Sequence, residues 1–306
     1  MKSVNVYIPG TVSNVGSGFD VMGFAMGGVG EKMRVSLIDG NEIRLVDESG
    51  YNLPMVAASN TGAVALQSFR KALNITQGFE IVFETKIKPG SGLGSSASSA
   101  VGAVFGANEL MGSPFTRKEL IDFAMDGEEV ASGSRHADNV APAMLGSFVL
   151  IRSLNPFDVV QIPAPESLFC TVVHPQIEVK TSEARSLLPK QIPLKDAIQQ
   201  WGNTAALIAG LYQSDFGLIG RSMTDLVAVP VRCRFIPNYE LAVERAMAAG
   251  AIGFSISGSG PSMFAFSDSL ETAQKVADAV AEVFTAQGIE RQSYVGRIDP
   301  TGVKLQ

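Results

Sequence analysis

Phe79, Ile81, Phe83, Thr85 and Ile87 fall on every second position, the period of a strand with one buried face. Apolar clusters or alternation predict further strands over 4–8, 33–38, 42–46, 146–151, 168–173, 251–256, 262–266 and 293–298. Helical patterning predicts helices over 61–73, from about Ser95 onward, 116–131, 182–188, 196–226 with a break near 215–217, and 239–249. Asn60 is placed to cap the first of these and Gly250 to stop the last. Asp268 with Glu271 looks like a capping-box start for one more helix, ending at Gly288. Strands and helices are mixed, and the chain closes β-β-α-β, which suggests a sheet with helices on one face, the α+β class. Pro156, Pro163 and Pro165 mark a seam, so two lobes are expected, 1–153 and 154–306. No internal repeat, low-complexity tract or long linker interrupts them.

Between the strand at 79–87 and the small-residue helix lies Lys88-Pro-Gly-Ser-Gly-Leu-Gly-Ser-Ser-Ala-Ser98. Gly90, Gly92 and Gly94 permit positive φ and leave room for close approach. Ser95 and Ser96 then sit where a helix exposes unpaired N–H groups and the positive end of its dipole. The arrangement suits an anion, above all a polyphosphate. No lysine occurs between 89 and 116, which excludes a Walker loop. Gly92-Leu-Gly94-Ser-Ser-Ala97 formally fits a dinucleotide fingerprint, but another helix follows where a second strand ending in Asp or Glu is required. A tight strand–helix turn without a ligand is the plain alternative.

A chain of 306 residues can bury one large or two ordinary cores. Its net charge of −6 offers no footprint for DNA or RNA. Two cysteines, Cys170 and Cys233, make no disulfide framework and suit a reduced, cytoplasmic setting. The first residues lack the apolar core of a signal peptide, and no run approaches the ~20 apolar residues that span a bilayer, so no membrane role is expected.

The glycine segment resembles the ATP loop of the galactokinase, homoserine kinase, mevalonate kinase and phosphomevalonate kinase superfamily. Two more segments resemble its signature regions: Pro9-Gly-Thr-Val-Ser-Asn-Val-Gly-Ser-Gly-Phe-Asp20 and Gly253-Phe-Ser-Ile-Ser-Gly-Ser-Gly-Pro-Ser-Met-Phe264. The first of them, with Arg135-His-Ala-Asp-Asn-Val-Ala-Pro142, is similar to homoserine kinases specifically. With Thr181–Arg185 and Pro230–Arg232, the matches run in order from 9 to 264.

The resemblance implies a ribosomal-S5-like first lobe that binds ATP and a ferredoxin-like second lobe. It also implies L-homoserine as the acceptor, with Mg²⁺ held by Ser96 and Glu128. ATP would lie along Lys88, Pro89, Gly90, Ser91, Gly92, Leu93, Gly94, Ser95, Ser96, Ala97 and Ser98, with Asn60 offered for the adenine on position alone. Asp20 suits the substrate ammonium, and Arg185 and Arg232 its carboxylate, which a guanidinium grips in a plane. Arg234 is a rival, because on a strand it would face the same way as Arg232. Asn14, His136 and Asn139 would orient the substrate. Asn139 stands where sister kinases carry a basic Asp, and an amide takes no proton usefully. A loose transition state needs no strong base, so direct transfer is expected, with Asp138 as the rival base. Glu129 should face away, and His174 is read as structural. Ser257-Gly-Ser-Gly-Pro261 is either a second turn toward the ligands or an ordinary hairpin. Pro9-Gly10 and Val12 depart from the family's Pro-Ala and Ser. A homodimer is expected by analogy. The rivals are a sister small-alcohol kinase and an inactive nucleotide-binding regulator.

Overall fold

The expected strands at 4–8 and 33–38 are the open end of one long hairpin, β1 (Ser3–Val15) and β2 (Gly18–Ile38). The computed structural model describes residues 2–177 and 185–306. Asn14 and Asp20 both adopt φ 58° and bend the hairpin's closed end. β2 pairs with β4 (Gly78–Thr85) over its second half, and β3 (Ile43–Asp47) lies parallel to β4. Near its start β2 pairs instead with β5 (Phe148–Leu154), which forms a hairpin with β6 (Phe157–Ile162). β11 (Lys304–Leu305) returns to the β1 edge.

Three helices cover one face of this sheet: α1 (Thr61–Leu73), α2 (Ser95–Leu110) and α3 (Arg117–Ser132). Asn60 caps α1 by accepting from Ala63 N–H, and Thr116 with Glu119 forms a full capping box on α3. α2 is rich in small residues because it lies tight on the sheet. A Cβ on Gly106 would come within 2.6 Å of Val35, and one on Gly102 within 2.8 Å of Ile8. Phe69, Phe79, Phe83, Val101, Leu120 and Met125 fill the core between the layers.

The second sheet runs in the order β10–β7–β9–β8, built from β7 (Phe169–Pro175), β8 (Gly253–Ile256), β9 (Met263–Ser267) and β10 (Arg291–Arg297). The connecting helices order the chain as follows: α4 (Val140–Leu145) before β5; α5 (Leu194–Gln213), α6 (Phe216–Ser222), α7 (Val229–Arg232) and α8 (Tyr239–Ala248) between β7 and β8; and α9 (Leu270–Thr285) between β9 and β10. With α8 and α9 this is a β-α-β-β-α-β unit in ferredoxin-like order. α8 and α9 cover one face. The other face meets the first sheet through Phe24, Phe148, Phe264 and Phe266, whose ring centroids lie 5.0–5.8 Å apart. The lobes therefore share a core, and the first sheet draws strands from both sides of the 153/154 seam.

The α+β expectation holds, with local differences. α9 is capped by Ser269, which accepts from Thr272 N–H, so Asp268 lies outside it. Arg232 and Arg234 occupy a helical turn and the 3₁₀ turn after it, not a strand. β6 and α4 were not anticipated. The expected break near 215–217 is the α5–α6 junction, where Asp215 caps α6 through Leu218 N–H. The first three positions of the helix expected over 182–188 lie outside the described residues. No described helix is long and apolar enough to cross a membrane.

Candidate active site

The loop between β4 and α2 is left-handed at all three glycines, with φ of 76°, 76° and 70° at Gly90, Gly92 and Gly94. A Cβ on Gly94 would fall 2.0 Å from Thr11 Oγ1, and one on Gly92 would fall 2.9 Å from the Ser257 carbonyl. Any side chain there would push the loop off its supports. The 257–262 turn is one of those supports: Ser257 Oγ donates to the Gly92 carbonyl at 2.5 Å and Ser262 Oγ to that of Ser91. That turn is part of the site, not a free hairpin.

Beneath the loop lies a buried ion pair. Lys86 Nζ and Glu31 Oε2 are 2.5 Å apart, with side chains 2% and 1% exposed. Lys86 also donates to the Ser95 carbonyl and to Ser99 Oγ, both at 2.7 Å. Glu31 Oε1 accepts from Ser95 Oγ at 2.9 Å and from Ile87 N–H at 3.2 Å. One carboxylate thus ties the residue before the loop to the first residue of α2. Burial pushes the Glu31 carboxyl up and the Lys86 amine down, while each charge opposes the other's shift.

Glu128 reaches the start of α2 from α3. Ser96 Oγ donates to its Oε1 at 3.0 Å, and among the described residues its buried Oε2 has no partner. Burial pushes its carboxyl up to about 7, against the Ser96 hydrogen bond. An unpartnered carboxylate oxygen beside a serine hydroxyl suits a hard divalent cation. No cluster of three or more His, Cys, Asp or Glu among the described residues offers an alternative. Glu129 is exposed, as expected.

The other end of the cleft gathers the remaining polar groups. Asn139 accepts from Thr11 Oγ1 at 2.8 Å and donates to Ser13 Oγ at 3.0 Å, beside Gly94. Asn14 donates to the Gly258 carbonyl at 3.0 Å and accepts from Asp20 N–H at 2.9 Å. Asp20 pairs with Arg185 at 2.8 Å. Arg232 is 3% exposed, donates to the Gly258 carbonyl at 2.7 Å and stacks over Phe19, while its Nε has no partner among the described residues. Arg234, about 200° further round the turn, is exposed, which removes it as a rival. His136 lines the cleft with Ser134 Oγ 2.6 Å from its Nε2, and Asp138 is buried there with its carboxyl raised by that burial. Arg135 anchors this segment to α3 through Asp122 at 2.7 Å. Ser13, Asn14, Asp20, Asp138, Asn139 and Arg232 are among the residues that line this cleft of about 600 Å³.

Three comparisons place this geometry. The GHMP kinases N terminal domain matches residues 60–147, and the GHMP kinases C terminal matches 207–286. A homoserine kinase of Chlorobium phaeobacteroides (strain DSM 266 / SMG 266 / 2430) is 47% identical over 100% of both chains. The chain belongs to the homoserine kinase family. The crystal structure of a homoserine kinase from Cytophaga hutchinsonii superposes with a TM-score of 0.96 at 45% identity, covering 100% of this chain and 98% of that one. An L. major mevalonate kinase, solved with R-mevalonate, superposes with a TM-score of 0.72 at 18% identity, covering 97% and 96%, and shows a shared fold.

In this chain, several expected positions behave differently from the rest. Lys88 turns away to Gln176 Oε1 and does not line the cleft. Leu93, Ala97 and Ser98 are wholly buried, so only their backbone can serve a ligand. Asn60 lines the cleft, but its amide is held by Pro54 O and Ala63 N. His174 is structural: it is 2% exposed, bonded to Ser262, and lowered to about 4 by burial. Glu31, Lys86 and Ser99 were missed, as was the cleft wall from Tyr51 to Pro54. The available signals were an acid directly after the Gly27–Gly30 run and a lysine just before the loop. The departures at Gly10 and Val12 are packing positions: a Cβ on Gly10 would come 3.0 Å from Ile87, and Val12 is fully buried.

Proposed function

We infer that the chain transfers the γ-phosphoryl group of ATP to the side-chain hydroxyl of L-homoserine, giving O-phospho-L-homoserine and ADP, a step toward threonine. One observation carries this reading: a single cleft holds a left-handed glycine loop at a helix N-terminus and, at its far end, an acid with two guanidiniums. The loop's backbone N–H groups and the α2 dipole take the phosphates. Glu128 and Ser96 would hold Mg²⁺, which would neutralise charge on the phosphates. The wall from Tyr51 to Asn60 bounds the nucleoside.

Asp20 receives the substrate ammonium, and Arg185 and Arg232 its carboxylate. Asp20 and Arg185 pair with each other here, so a zwitterion can replace each partner with one of its own ends. Asn139, fixed by two hydroxyls and beside the loop, orients the acceptor oxygen. Transfer is then a matter of in-line positioning without a dedicated base. The enzyme works as a cytoplasmic homodimer. In a Mg²⁺–ATP assay, L-homoserine should stimulate ADP release while mevalonate and galactose do not. Absence of stimulation by homoserine would reject the reading.

A further inference from the structure

α5 has two unlike faces. Asn203, Leu207, Gly210 and Leu211 are buried, and Gln200 and Thr204 both donate to the Ser17 carbonyl at 2.8 Å, within the hairpin end that carries Asn14 and Asp20. The opposite face carries Leu194, Ile198, Trp201, Ala205, Ile208 and Tyr212, at alternating spacings of four and three, the repeat of a helix-pairing seam. Leu194 is 70% exposed, Ile198 52%, Trp201 58% and Tyr212 57%. Ile208 is half-buried at its edge. From Ala197 to Gln213 the helix holds no charged residue, although 18% of the chain is charged. Leu187 and Ile192, shortly before the helix in sequence, are exposed as well. Monomeric proteins seldom leave a stripe of this kind in water.

We propose that this face is the surface through which two copies of the chain pair, with their α5 helices antiparallel about a two-fold axis near Asn203. The proposal rests on the homodimer reading above and says where that dimer forms. The stripe is its own complement when reversed. Leu194 meets Tyr212 of the second copy, Ile198 meets Ile208, and Trp201 meets Ala205, so the largest side chain faces a small one. Each contact occurs twice, as a two-fold interface requires. The charges agree with this direction. Lys195 at the start of one helix lies toward Asp215 beyond the end of the other, whereas parallel pairing would set Lys195 against Lys195. Antiparallel dipoles favour the same choice.

Trp201 is the only tryptophan in the chain, so its fluorescence reports on this face directly. The test combines sedimentation of the full chain with emission spectra over a dilution series. The expected result is a dimer whose emission shifts to the red as it dissociates, and an Ile198→Glu variant that is monomeric and red-shifted at every concentration. Ala205→Glu, at an exposed small residue, should behave the same way and serves if the first variant folds poorly. A dimeric wild type whose two variants stay dimeric, with Trp201 emitting as a water-exposed indole throughout, would overturn this interface and leave the homodimer standing. A wild type that is monomeric at all concentrations would overturn both.

Discussion

Two ion pairs, one beneath the glycine loop and one at the far end of the cleft, do different work. Glu31–Lys86 is 1–2% exposed, and its polar atoms are fully engaged with the loop's two ends. Asp20–Arg185 is 30–39% exposed and joins the hairpin end to a distant segment through two hydrogen bonds, at 2.8 and 3.4 Å. Desolvation makes the first pair a fixed support, because neither charge can leave without stranding the other in a medium that penalises it. Water reaches the second pair, so its partners can be exchanged at small cost. Under the proposed function, a phosphate loop needs rigid backing, whereas a substrate pocket needs charges that can let go of each other. The two pairs divide along that line.

The largest effect should come from Glu31→Ala, which leaves Lys86 buried and uncompensated and should cost about 3–5 kcal/mol in urea unfolding. Adding Lys86→Met should restore much of that loss. A cost below about 1 kcal/mol would erase the contrast between the pairs. Glu128→Gln should act with the opposite sign on stability. The folded carboxyl titrates near 7, above its ordinary value of 4.5, so ionising it above pH 7 costs the fold and protonation below restores it. At pH 8 the variant without Mg²⁺ should be more stable than wild type by roughly 1–3 kcal/mol, a gain that fades as pH falls from 7 toward 4.5. Its kcat should drop by about a hundredfold or more. A pH-independent stability difference would show that Glu128 is not held at this raised value.

The smallest stability change is expected for Asp20→Ala, within about 1 kcal/mol of wild type. Its kinetic signature should be large and specific if, as proposed, Asp20 grips the substrate away from the reacting oxygen: KM for homoserine raised about 10- to 100-fold with kcat little changed. A stability loss equal to that of Glu31→Ala would make the second pair structural as well. An unchanged KM would move the substrate to another pocket.

Elements marked by local chemistry were legible in the chain. Asn60 announced α1, the glycine run announced the start of α2 at Ser95, and Asp215 marked the break between α5 and α6. Each depends on a few neighbouring residues and on backbone preferences that travel with them. Several residues that line the cleft were also picked out, because Ser96, Asn139 and Asp20 sit inside motifs. Elsewhere local reasoning chose wrongly between near equals. Lys86 and Lys88 share one side of an extended chain, yet β4 ends at Thr85 and the two diverge, one into the ion pair and one to Gln176. Asp268 and Ser269 are both good caps, and with α9 beginning at Leu270 the serine takes the capping place.

The amino-acid order by itself carried whatever depends on backbone freedom and adjacent side chains: the left-handed loop, the helix caps, the alternation of β4. Which charges lie in the dry interior was settled only when distant segments met, as where Glu31 reaches Ser95 across 64 positions. Desolvation belongs to the surroundings of a group and not to the group itself, so no stretch of neighbouring residues could show that Glu31 and Lys86 form the buried support of the loop.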